Sequence, residues 1–494
     1  MKRGCVIGII LFLVGFQSCY KEEIVFNVEV DRELELSTIL KINKKECCFD
    51  YTENTLRFPI NADIINDFSP LIEFQEYSNV FFEGKSLKIN SVNNLGKIEI
   101  NKEYEIIIET NNNTKKLQLT FTNLPIVQVI TPNRILDEPK TIAKIIVNDP
   151  ARESCIISYI GIEYRGSHSL VYDKKSFNIS FLNSQYLGKE KLISIFNYKK
   201  NNRFILDAMY IDRARLRNNI SFKIWRKIEN ERNYGIESKF VELFINNEHQ
   251  GLYCFNETLN AELLDLTNND ALLYKGIDWT STTTFEAIED NISNNELWAG
   301  WEQKYPNPKD KINWLPIYSL TKDVVNLNNS NFQNEIPKII NIDNFIDYYL
   351  FINLIQAIDN MGLNTFIART KKSDRLFILP WDLDASYGIS WDGSYIDHTS
   401  ILSNNLFDRL IETNTNDFKN KLKQRWSFLR GHIFSNIELK KVFNDNFILI
   451  KKSEIIDIEN KKWGSNIDIN LEQEYLIDWI ENRLSFLDNY FDNL

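Results

Sequence analysis

The chain has 494 residues and a net charge of −11, from 57 Lys and Arg against 68 Asp and Glu. This balance disfavours nucleic-acid binding, which depends on clustered cations that neutralise phosphates. With 43% hydrophobic and 13% aromatic residues, the composition is that of a folded protein. The length predicts roughly two or three domains.

The first nineteen residues, Met1–Cys19, have the order of a secretory signal peptide. Lys2 and Arg3 are followed by an apolar run from Val6 to Phe16 and then by small and polar residues. The apolar run is too short to span a bilayer. We therefore predict that residues 1–19 are a signal segment and not a membrane helix.

Cys19 directly follows Ser18, and this ending resembles the lipobox of bacterial lipoproteins, in which the thiol is acylated. The alternative is an ordinary cleaved signal with a coincidental Cys. Residues 20–23, with the sequence Tyr-Lys-Glu-Glu, resemble the acidic tag of Bacteroidetes-type lipoproteins. We expect a lipid anchor at Cys19 and a location on the outer membrane or cell surface, with the periplasmic face as the other possibility.

Residues 20–123 carry a strand pattern with no amphipathic run of helix length. Tyr104–Glu109 and Leu117–Phe121 flank the turn-rich segment 111–113, which predicts a hairpin. We predict a small all-β, sandwich-like domain at 20–123 that separates the rest of the chain from the membrane.

Residues 124–278 mix strand and helix patterns. Asp212 can cap a helix that carries Leu216, Ile220 and Ile224 on one face. Asn246-Asn247 marks a hairpin turn. The predicted strands are Ala143–Val147, Ile156–Tyr164, Phe177–Phe181, Val241–Ile245 and Gly251–Phe255. We therefore predict a β-rich lobe with one helix, ending at about residue 278.

After Trp279 the pattern is mostly helical apart from one hairpin. Asp343 can cap a helix, and the tail from Leu406 to Leu494 has the pattern of three or four helices. The fold class predicted for 124–494 is thus α+β, with two lobes around a cleft.

The stretch from Asp359 to Gly388 contains the residues most suited to catalysis. Two apolar strands flank a polar turn, and a hairpin centred between Lys372 and Ser373 would place Asn364 opposite Trp381 and beside Asp382. Asp359, five residues before Asn364, can reach the same place. The hairpin therefore predicts a cluster of carboxylate and amide oxygens at its open end.

Such oxygens suit Mg²⁺, which takes one or two protein carboxylates together with phosphate oxygens and waters. A carboxylate such as Asp359 can orient or deprotonate an attacking hydroxyl. The Asp-x4-Asn spacing matches the catalytic loop of protein kinases. Taken alone this pattern is weak, because Asp382 after Pro380-Trp381 is also what a strand end with a capped turn would contain.

The order of several motifs resembles the spore-coat protein H (CotH) family of atypical kinases across about 370 residues, from Leu124 to the C-terminal Trp479, Arg483 and Phe486. The motifs are Arg165-Gly166-Ser167-His168-Ser169, Lys174-Lys175-Ser176-Phe177, Asp212 through Arg217-Asn218, Gly251-Leu252-Tyr253 with Glu257, and Pro380-Trp381-Asp382-Leu383-Asp384 with Gly388. His168 departs from the small polar residue that is usual in the family.

This resemblance implies a protein-kinase-like fold that uses ATP and Mg²⁺, or Mn²⁺, to phosphorylate Ser or Thr of secreted or surface proteins. It implies Asp359 as the catalytic carboxylate and Asn364 and Asp382 as metal ligands. Asp384 either assists the metal or holds the turn. Lys174 or Lys175 pairs with nucleotide phosphates, and the strand register decides which, since neighbouring residues face opposite sides of a strand.

Three more residues of these motifs are predicted for the nucleotide site. Arg165, Arg217 and Glu257 form a polar wall of the cleft, with Glu257 or a neighbour pairing one lysine, or they are structural ion pairs. Trp381 stacks on adenine or packs in the core. The rival function is a non-catalytic surface adhesin with the family fold, and a third possibility is transfer to a glycan.

Overall fold

The computed structural model of the chain describes residues 40–74, 79–110, 113–166, 168–185, 188–228, 230, 232–268, 270–372 and 374–494. The predicted signal segment, Cys19 and the tag at 20–23 lie outside these residues, as does Ser167. In the described part of the chain, no helix is both long enough and apolar enough to cross a bilayer.

Residues 40–122 form strands and turns, as predicted, with no helix among those described. The strands are β1 (Lys41–Ile42), β2 (Lys45–Glu46), β3 (Cys48–Asp50), β4 (Thr55–Pro59), β5 (Ile64–Phe68), β6 (Leu71–Glu73), β7 (Asn79–Phe82), β8 (Lys85–Ser86), β9 (Ser91–Val92), β10 (Gly96–Glu99), β11 (Glu103–Thr110) and β12 (Asn113–Thr122). They form a six-stranded sheet (β3-β4-β12-β11-β7-β8), a four-stranded sheet (β2-β1-β6-β9) and the pair β10-β5.

One apolar core lies between these sheets. β11 and β12 pair antiparallel with Ile106 opposite Leu117, which confirms the predicted hairpin. Alternate side chains of both strands are buried, because side chains of a strand point to opposite faces in turn. Phe121 packs against Phe58 and Phe68 with ring centroids 6.4 and 5.7 Å apart. This region is therefore held by its own core.

The next strands close into a barrel in the order β13-β14-β15-β16-β17-β19-β18. They are β13 (Ile126–Ile130), β14 (Thr141–Asn148), β15 (Ile156–Arg165), β16 (Ser176–Leu182), β17 (Arg203–Asp207), β18 (Ser238–Ile245) and β19 (Glu248–Glu257). The five predicted strands lie within them. Parallel pairing of β13 with β18, such as Val127 beside Leu243, completes the closure. A second apolar core fills the barrel.

Helix α1 (Arg217–Lys227) packs beside the barrel, as the sequence predicts. The Asp212 carboxylate accepts hydrogen bonds from the N–H groups of Leu216 and Arg217 at 2.8 and 2.7 Å, so it satisfies donors that the first turn leaves open. Ile220 and Ile224 are buried in the large third core. The start of α1 is thereby fixed next to the end of β17.

A five-stranded sheet in the order β21-β22-β20-β23-β24 follows, where the sequence predicts only one hairpin. Its strands are β20 (Leu272–Gly276), β21 (Leu297–Trp298), β22 (Trp301–Tyr305), β23 (Thr365–Arg369) and β24 (Phe377–Pro380). The predicted hairpin is β23–β24. β20 precedes residue 278 in the chain yet pairs with β23, so its partner lies in the segment predicted to be mostly helical.

Helices cover this sheet and make up the tail. They are α2 (Leu315–Asn326), α3 (Asn329–Ile339), α4 (Ile342–Ile355), α5 (Asn405–Glu412), α6 (Phe418–Arg430), α7 (Asn436–Ser453), α8 (Ile455–Trp463) and α9 (Ile469–Asp492). The tail holds α5 to α9, one more than the most that the sequence predicts. Asn341, and not Asp343, caps α4, since its side chain accepts the N–H of Asn344.

The N-terminal strands pack on the barrel through a buried ion pair. Arg57 of β4 lies 2.5 Å from Glu242 of β18, and the His249 ring lies 3.1 Å from the same carboxylate. Burial alone would raise the pKa of Glu242, but Arg57 and His249 hold it at about 2. The carboxylate is therefore ionised and paired inside this interface.

Candidate active site

A cavity of about 940 Å³ lies between the barrel and the five-stranded sheet. The barrel side contributes Arg165 at the end of β15 and Asp207 at the end of β17. The sheet side contributes Lys275, Asn364 and Asp382. Residues more than 100 positions apart in the chain therefore face one space.

The register of the β23–β24 hairpin fixes the floor of this cavity. Thr365 pairs with Pro380, and the N–H of Trp381 donates to the carbonyl of Asn364 at 3.1 Å. The prediction that Asn364 lies opposite Trp381 is confirmed. Asn364 and Asp382 have φ of 53° and 55°, a left-handed conformation that Asn and Asp adopt more readily than most residues. Both residues thus leave the strand direction where the hairpin opens.

Asn360 holds the open end together, a role that the sequence does not reveal. Its side-chain N–H groups donate to the carbonyls of Asn364 and Trp381, each at 2.8 Å. Asn360 is buried within the short 3₁₀-helix Ile358–Met361. Because Asp359 belongs to the same turn, these bonds fix its position against the hairpin.

Asp359 lines the cavity with a carboxyl that burial makes less acidic. Burial raises its pKa, and the negative charge of Asp382 raises it further, while a hydrogen bond from the Trp279 side chain opposes both. A carboxylate with a raised pKa is a better proton acceptor, as a general base requires. Asp359 and Asp382 therefore lie within each other's electrostatic field.

Three carboxylates meet behind Asp382. Burial raises the pKa of Asp384 well above its usual range, and Asp382, Asp207 and Asp212 add to this rise. Burial likewise raises the pKa of Asp207, which sequence reasoning did not single out. Arg165, whose Nη2 lies 3.5 Å from Asp382 Oδ2, offsets part of the repulsion. The site is thus a concentration of like charge.

Asn218 and Arg217 of α1 support this cluster from behind. Asn218 donates to Asp207 Oδ2 at 2.8 Å and accepts the N–H of Leu383 at 3.1 Å. Arg217 pairs with Asp212 at 2.5 Å, donates to the carbonyl of Ser386 at 3.0 Å, and does not line the cavity. Arg217 thus makes the structural ion pair that is one of its two predicted roles.

Lys174 lines the cavity, but its ammonium is engaged elsewhere. It is buried and donates to Glu459 Oε1 at 2.7 Å and to the carbonyl of Leu252 at 2.5 Å. Glu459 also binds Arg215 at 3.0 Å. Burial lowers the pKa of Lys174 to about 8, against the opposing effect of Glu459. We refer to Lys174, Glu459 and Arg215 as the buried triad.

Glu459 reaches the barrel from α8, 285 residues after Lys174, so no local pattern could predict it. Its place explains Gly251 of the Gly-x-Tyr motif. Gly251 has φ of +88°, and a Cβ there would lie 2.1 Å from Glu459 Oε1. The N–H of Leu252 donates to the same oxygen at 2.9 Å. Gly251 therefore leaves room for the Glu459 carboxylate, and Leu252 binds it.

Glu257 and Lys175 do not line the cavity. Glu257 accepts the N–H of Glu237 at 2.9 Å, and burial raises its pKa to about 7. The Lys175 ammonium donates to the carbonyls of Leu170 and Tyr172. Glu459, and not Glu257, is therefore the partner of a lysine, and the register buries Lys174 while Lys175 binds its own turn.

Trp381 is mostly covered by protein, with 6% of its surface exposed. Its ring packs against Phe222 and Phe366 with centroids 6.2 and 5.8 Å away, and the Arg165 guanidinium lies 5.9 Å from its centroid. These contacts are those of the predicted core-packing role. The indole still forms part of the cavity wall.

The donor set fits a magnesium ion bound together with phosphate. Asn364, Asp382 and Asp384 supply an amide and two carboxylates to one cavity, and Mg²⁺ takes one or two carboxylates plus phosphate oxygens and waters. Within the described residues, no group of three or more His, Cys, Asp or Glu forms an all-protein metal cage. Burial, and after it the charges of Asp382, Asp207 and Asp212, raise the pKa of Asp384, and a cation bound there would offset that repulsion.

Comparison with known proteins gives a match to the CotH kinase protein family model over residues 162–487, more than half of the chain. The chain is 21% identical over 390 residues to the inner spore coat protein H of Bacillus subtilis (strain 168), covering 76% of this chain and 99% of that protein. It is also similar to the crystal structure of a Helicobacter pylori proinflammatory kinase, CtkA, at 12% identity, 64% and 94% coverage and a TM-score of 0.31. A TM-score this low supports no conclusion about the fold.

Proposed function

Because this chain belongs to the CotH kinase protein family, we propose that it transfers the terminal phosphoryl group of ATP to Ser or Thr hydroxyls of secreted or surface proteins. In this proposal the barrel and the helix-covered sheet act as the two lobes of an atypical kinase, and the nucleotide phosphates bind in the cavity between them. The proposal includes no nucleic-acid partner, since the chain carries a net charge of −11.

The observation that carries the proposal is the convergence of Asp359, Asn364, Asp382 and Asp384 on one cavity. The hairpin register and the Asn360 hydrogen bonds hold the first three in fixed relation. Carboxyl groups gathered in a buried place destabilise the fold through burial and like charge, as the raised pKa of Asp384 indicates, whereas a phosphoryl-transfer site requires them.

In the proposed reaction, the acceptor hydroxyl oxygen forms a bond to the terminal phosphorus while the bond from that phosphorus to the bridging oxygen of ADP breaks. Asp359 orients the hydroxyl and takes its proton. Asn364, Asp382 and Asp384 would hold Mg²⁺ or Mn²⁺, which when bound neutralises charge on the phosphate oxygens. Arg165 lies beside Asp382 and adds positive charge near the same oxygens.

The test is transfer of label from γ-labelled ATP, with Mg²⁺ or Mn²⁺, to the protein itself and to Ser- and Thr-containing acceptors. Asp359→Asn and Asp382→Ala should each abolish it. The matched control is Asp278→Asn, since Asp278 also lines the cavity but is exposed at its rim, and this variant should keep the activity.

Two other outcomes decide between the alternatives. Transfer to a glycan, lost in the same variants, would keep the site and replace the acceptor. No transfer and no metal-dependent ATP binding by the wild type would reject the kinase proposal and favour a non-catalytic surface adhesin.

We further propose that Cys19 is acylated and anchors the protein to the outer membrane or cell surface. The support is the signal-like segment 1–19 and the lipobox-like ending at Cys19. Labelling of cells with a palmitate analogue should mark the wild type and not Cys19→Ser, and labelling of both proteins would reject the anchor.

A further inference from the structure

Six basic side chains line the cavity, and all but Lys275 have a partner among the described residues. The pairs are Lys140 with Glu163 and Ser180, Arg165 with Asp382, Lys174 with Glu459, Arg203 with Glu190, and Lys304 with Glu302. Lys275 has no hydrogen bond or ion pair within the described part of the chain. This difference separates it from the other cations of the same space.

The sheet explains why Lys275 stays without a partner. Glu302 stands directly opposite it on β22, but that carboxylate binds Lys304 at 2.5 Å. On its other side, Lys275 pairs across β23 with Phe366, an apolar residue that also lines the cavity. Lys275 therefore lines the cavity with no carboxylate within ion-pair distance among the residues that the structure describes.

The surroundings make an unpaired ammonium costly. Burial, together with the nearby Arg165 and against the opposing charge of Asp382, lowers the pKa of Lys275 to about 8. At neutral pH the side chain remains mostly cationic, so the fold keeps a partly desolvated charge uncompensated. An anionic group of a bound ligand would neutralise the charge of Lys275.

We propose that Lys275 is the lysine that binds the polyphosphate of the nucleotide, in place of Lys174 and Lys175. This assignment rests on the proposed phosphoryl-transfer function, and it names the cation that meets the transferred anion. Lys275 on β20 and Arg165 on β15 enter the cavity from the sheet and from the barrel, with Asp382 near both. Phosphate oxygens held between them would lie beside the proposed metal ligands.

The experiment compares binding of ATP, adenosine and inorganic tripolyphosphate by calorimetry. Lys275→Met should weaken ATP and tripolyphosphate about 10- to 100-fold, which is the usual worth of a hydrogen bond to a charged group, and leave adenosine unchanged. Lys275→Arg should recover most of the phosphate affinity. The control Arg203→Met removes a paired cation of the same cavity that has no contact with Lys275 or Glu302, and it should change binding less than threefold.

The results also separate this proposal from the function it rests on. Equal ATP affinity in wild type and Lys275→Met, or equal loss of adenosine and ATP, would overturn the role of Lys275 and leave phosphoryl transfer standing. Tripolyphosphate binding that depends on Lys275, with no ATP binding and no label transfer, would keep the anion site and reject the kinase. A wild type that binds neither phosphate compound would overturn both.

Discussion

The cavity and the buried triad both contain several charged groups, but the charges of the triad are paired with opposite charges and most of those in the cavity are not. In the triad, Glu459 binds Lys174 and Arg215 at 2.7 and 3.0 Å. In the cavity, burial and then the charge of Asp382 raise the pKa values of Asp359 and Asp384, and among the described residues Arg165 is the one cation within ion-pair distance of Asp382. We therefore expect the triad to contribute to stability, and we expect a ligand to neutralise the charges of the cavity.

The two regions are also adjacent, because Lys174 belongs to both. Lys174 is among the residues that line the cavity, and its ammonium binds Glu459. Breaking the triad is thus expected to unfold or loosen the barrel wall, whereas neutralising a cavity carboxylate is expected to affect chemistry alone. Matched carboxylate-to-amide substitutions in both regions test this difference.

The largest expected effect is the loss of transfer activity in Asp359→Asn. Removing a general base costs about 10²–10⁴-fold in kcat. The amide keeps the shape of the side chain and removes a charge that burial disfavours. We therefore expect the free energy of unfolding to stay within about 0.5 kcal/mol of the wild type or to rise. Single-turnover label transfer and urea denaturation of the same preparation measure the two effects.

A large drop in the stability of Asp359→Asn would contradict the expectation that neutralising a cavity carboxylate affects activity alone. It would mean that Asp359 holds the fold through Trp279, and its catalytic role would then need support from variants of other cavity residues. Trp279→Phe removes the hydrogen bond to Asp359 and keeps an aromatic ring, so it reports the structural contribution separately.

The second-largest expected effect is the decrease in the free energy of unfolding in Glu459→Gln. This change leaves Lys174 and Arg215 buried beside each other without a carboxylate, and removal of one partner of a buried ion pair costs about 3–5 kcal/mol. Urea denaturation measures it. Asp457→Asn is the matched control, because Asp457 lies exposed on the same helix, α8, and should change stability by less than about 0.5 kcal/mol.

A Glu459→Gln protein as stable as the wild type would contradict the structural role of the triad. If the variant does not accumulate as folded protein, Gly251→Ala provides a second measurement. A Cβ at Gly251 would press on Glu459 from 2.1 Å, so this change should destabilise the protein while keeping every charge.

Sequence reasoning succeeded where the structure is local and failed where distant segments meet. The hairpin that brings Asn364 opposite Trp381 follows from a polar turn between two short apolar strands, and its register is confirmed. The Gly-x-Tyr motif is recognisable in the sequence by its family resemblance, but the residue that requires its glycine, Glu459, comes from a helix 207 residues away. No spacing along the chain encodes such a contact.

The same limit explains Lys275 and Arg217. In the sequence, Lys275 is one lysine in a short strand, and nothing distinguishes it from a lysine on a solvent-facing edge. Only the pairing of β20 with β22 and β23 shows that it faces the cavity and that Lys304 takes its expected partner. Arg217 carries a family motif, yet its charge is satisfied by Asp212, five residues earlier.

The buried ion pair between the N-terminal strands and the barrel should make the stability of the protein depend on pH. A carboxyl whose pKa falls from 4.5 to about 2 on folding, as that of Glu242 does, stabilises the native state by about 3 kcal/mol above pH 4.5. This contribution is lost as the pH falls from 4.5 through 2, because the unfolded state then binds the proton first. Glu242→Gln should lack it at every pH.

Urea denaturation at pH 7 and at pH 2.5 gives the measurement. The stability difference between the wild type and Glu242→Gln should shrink by about 3 kcal/mol at most between these two values. A difference that is constant with pH would show that Arg57 and His249 do not hold the carboxylate ionised in the folded protein.

The smallest effect is expected for the exposed ion pairs between the same N-terminal strands and the tail. Lys461 lies 2.6 Å from Glu53 and Lys452 lies 2.5 Å from Asp63, with 70% and 51% of the lysine side chains exposed. Exposed pairs are worth about 0–1 kcal/mol, and salt screens them. Lys461→Met should therefore change the free energy of unfolding by less than about 1 kcal/mol, and the change should vanish in 1 M NaCl, where the Debye length is about 3 Å. The loss of stability in Glu242→Gln should persist in 1 M NaCl, since the Glu242 side chain is fully buried beside Arg57. If both variants respond to salt alike, the interface opens in solution far enough for ions to reach Glu242, and burial would no longer distinguish the two kinds of ion pair.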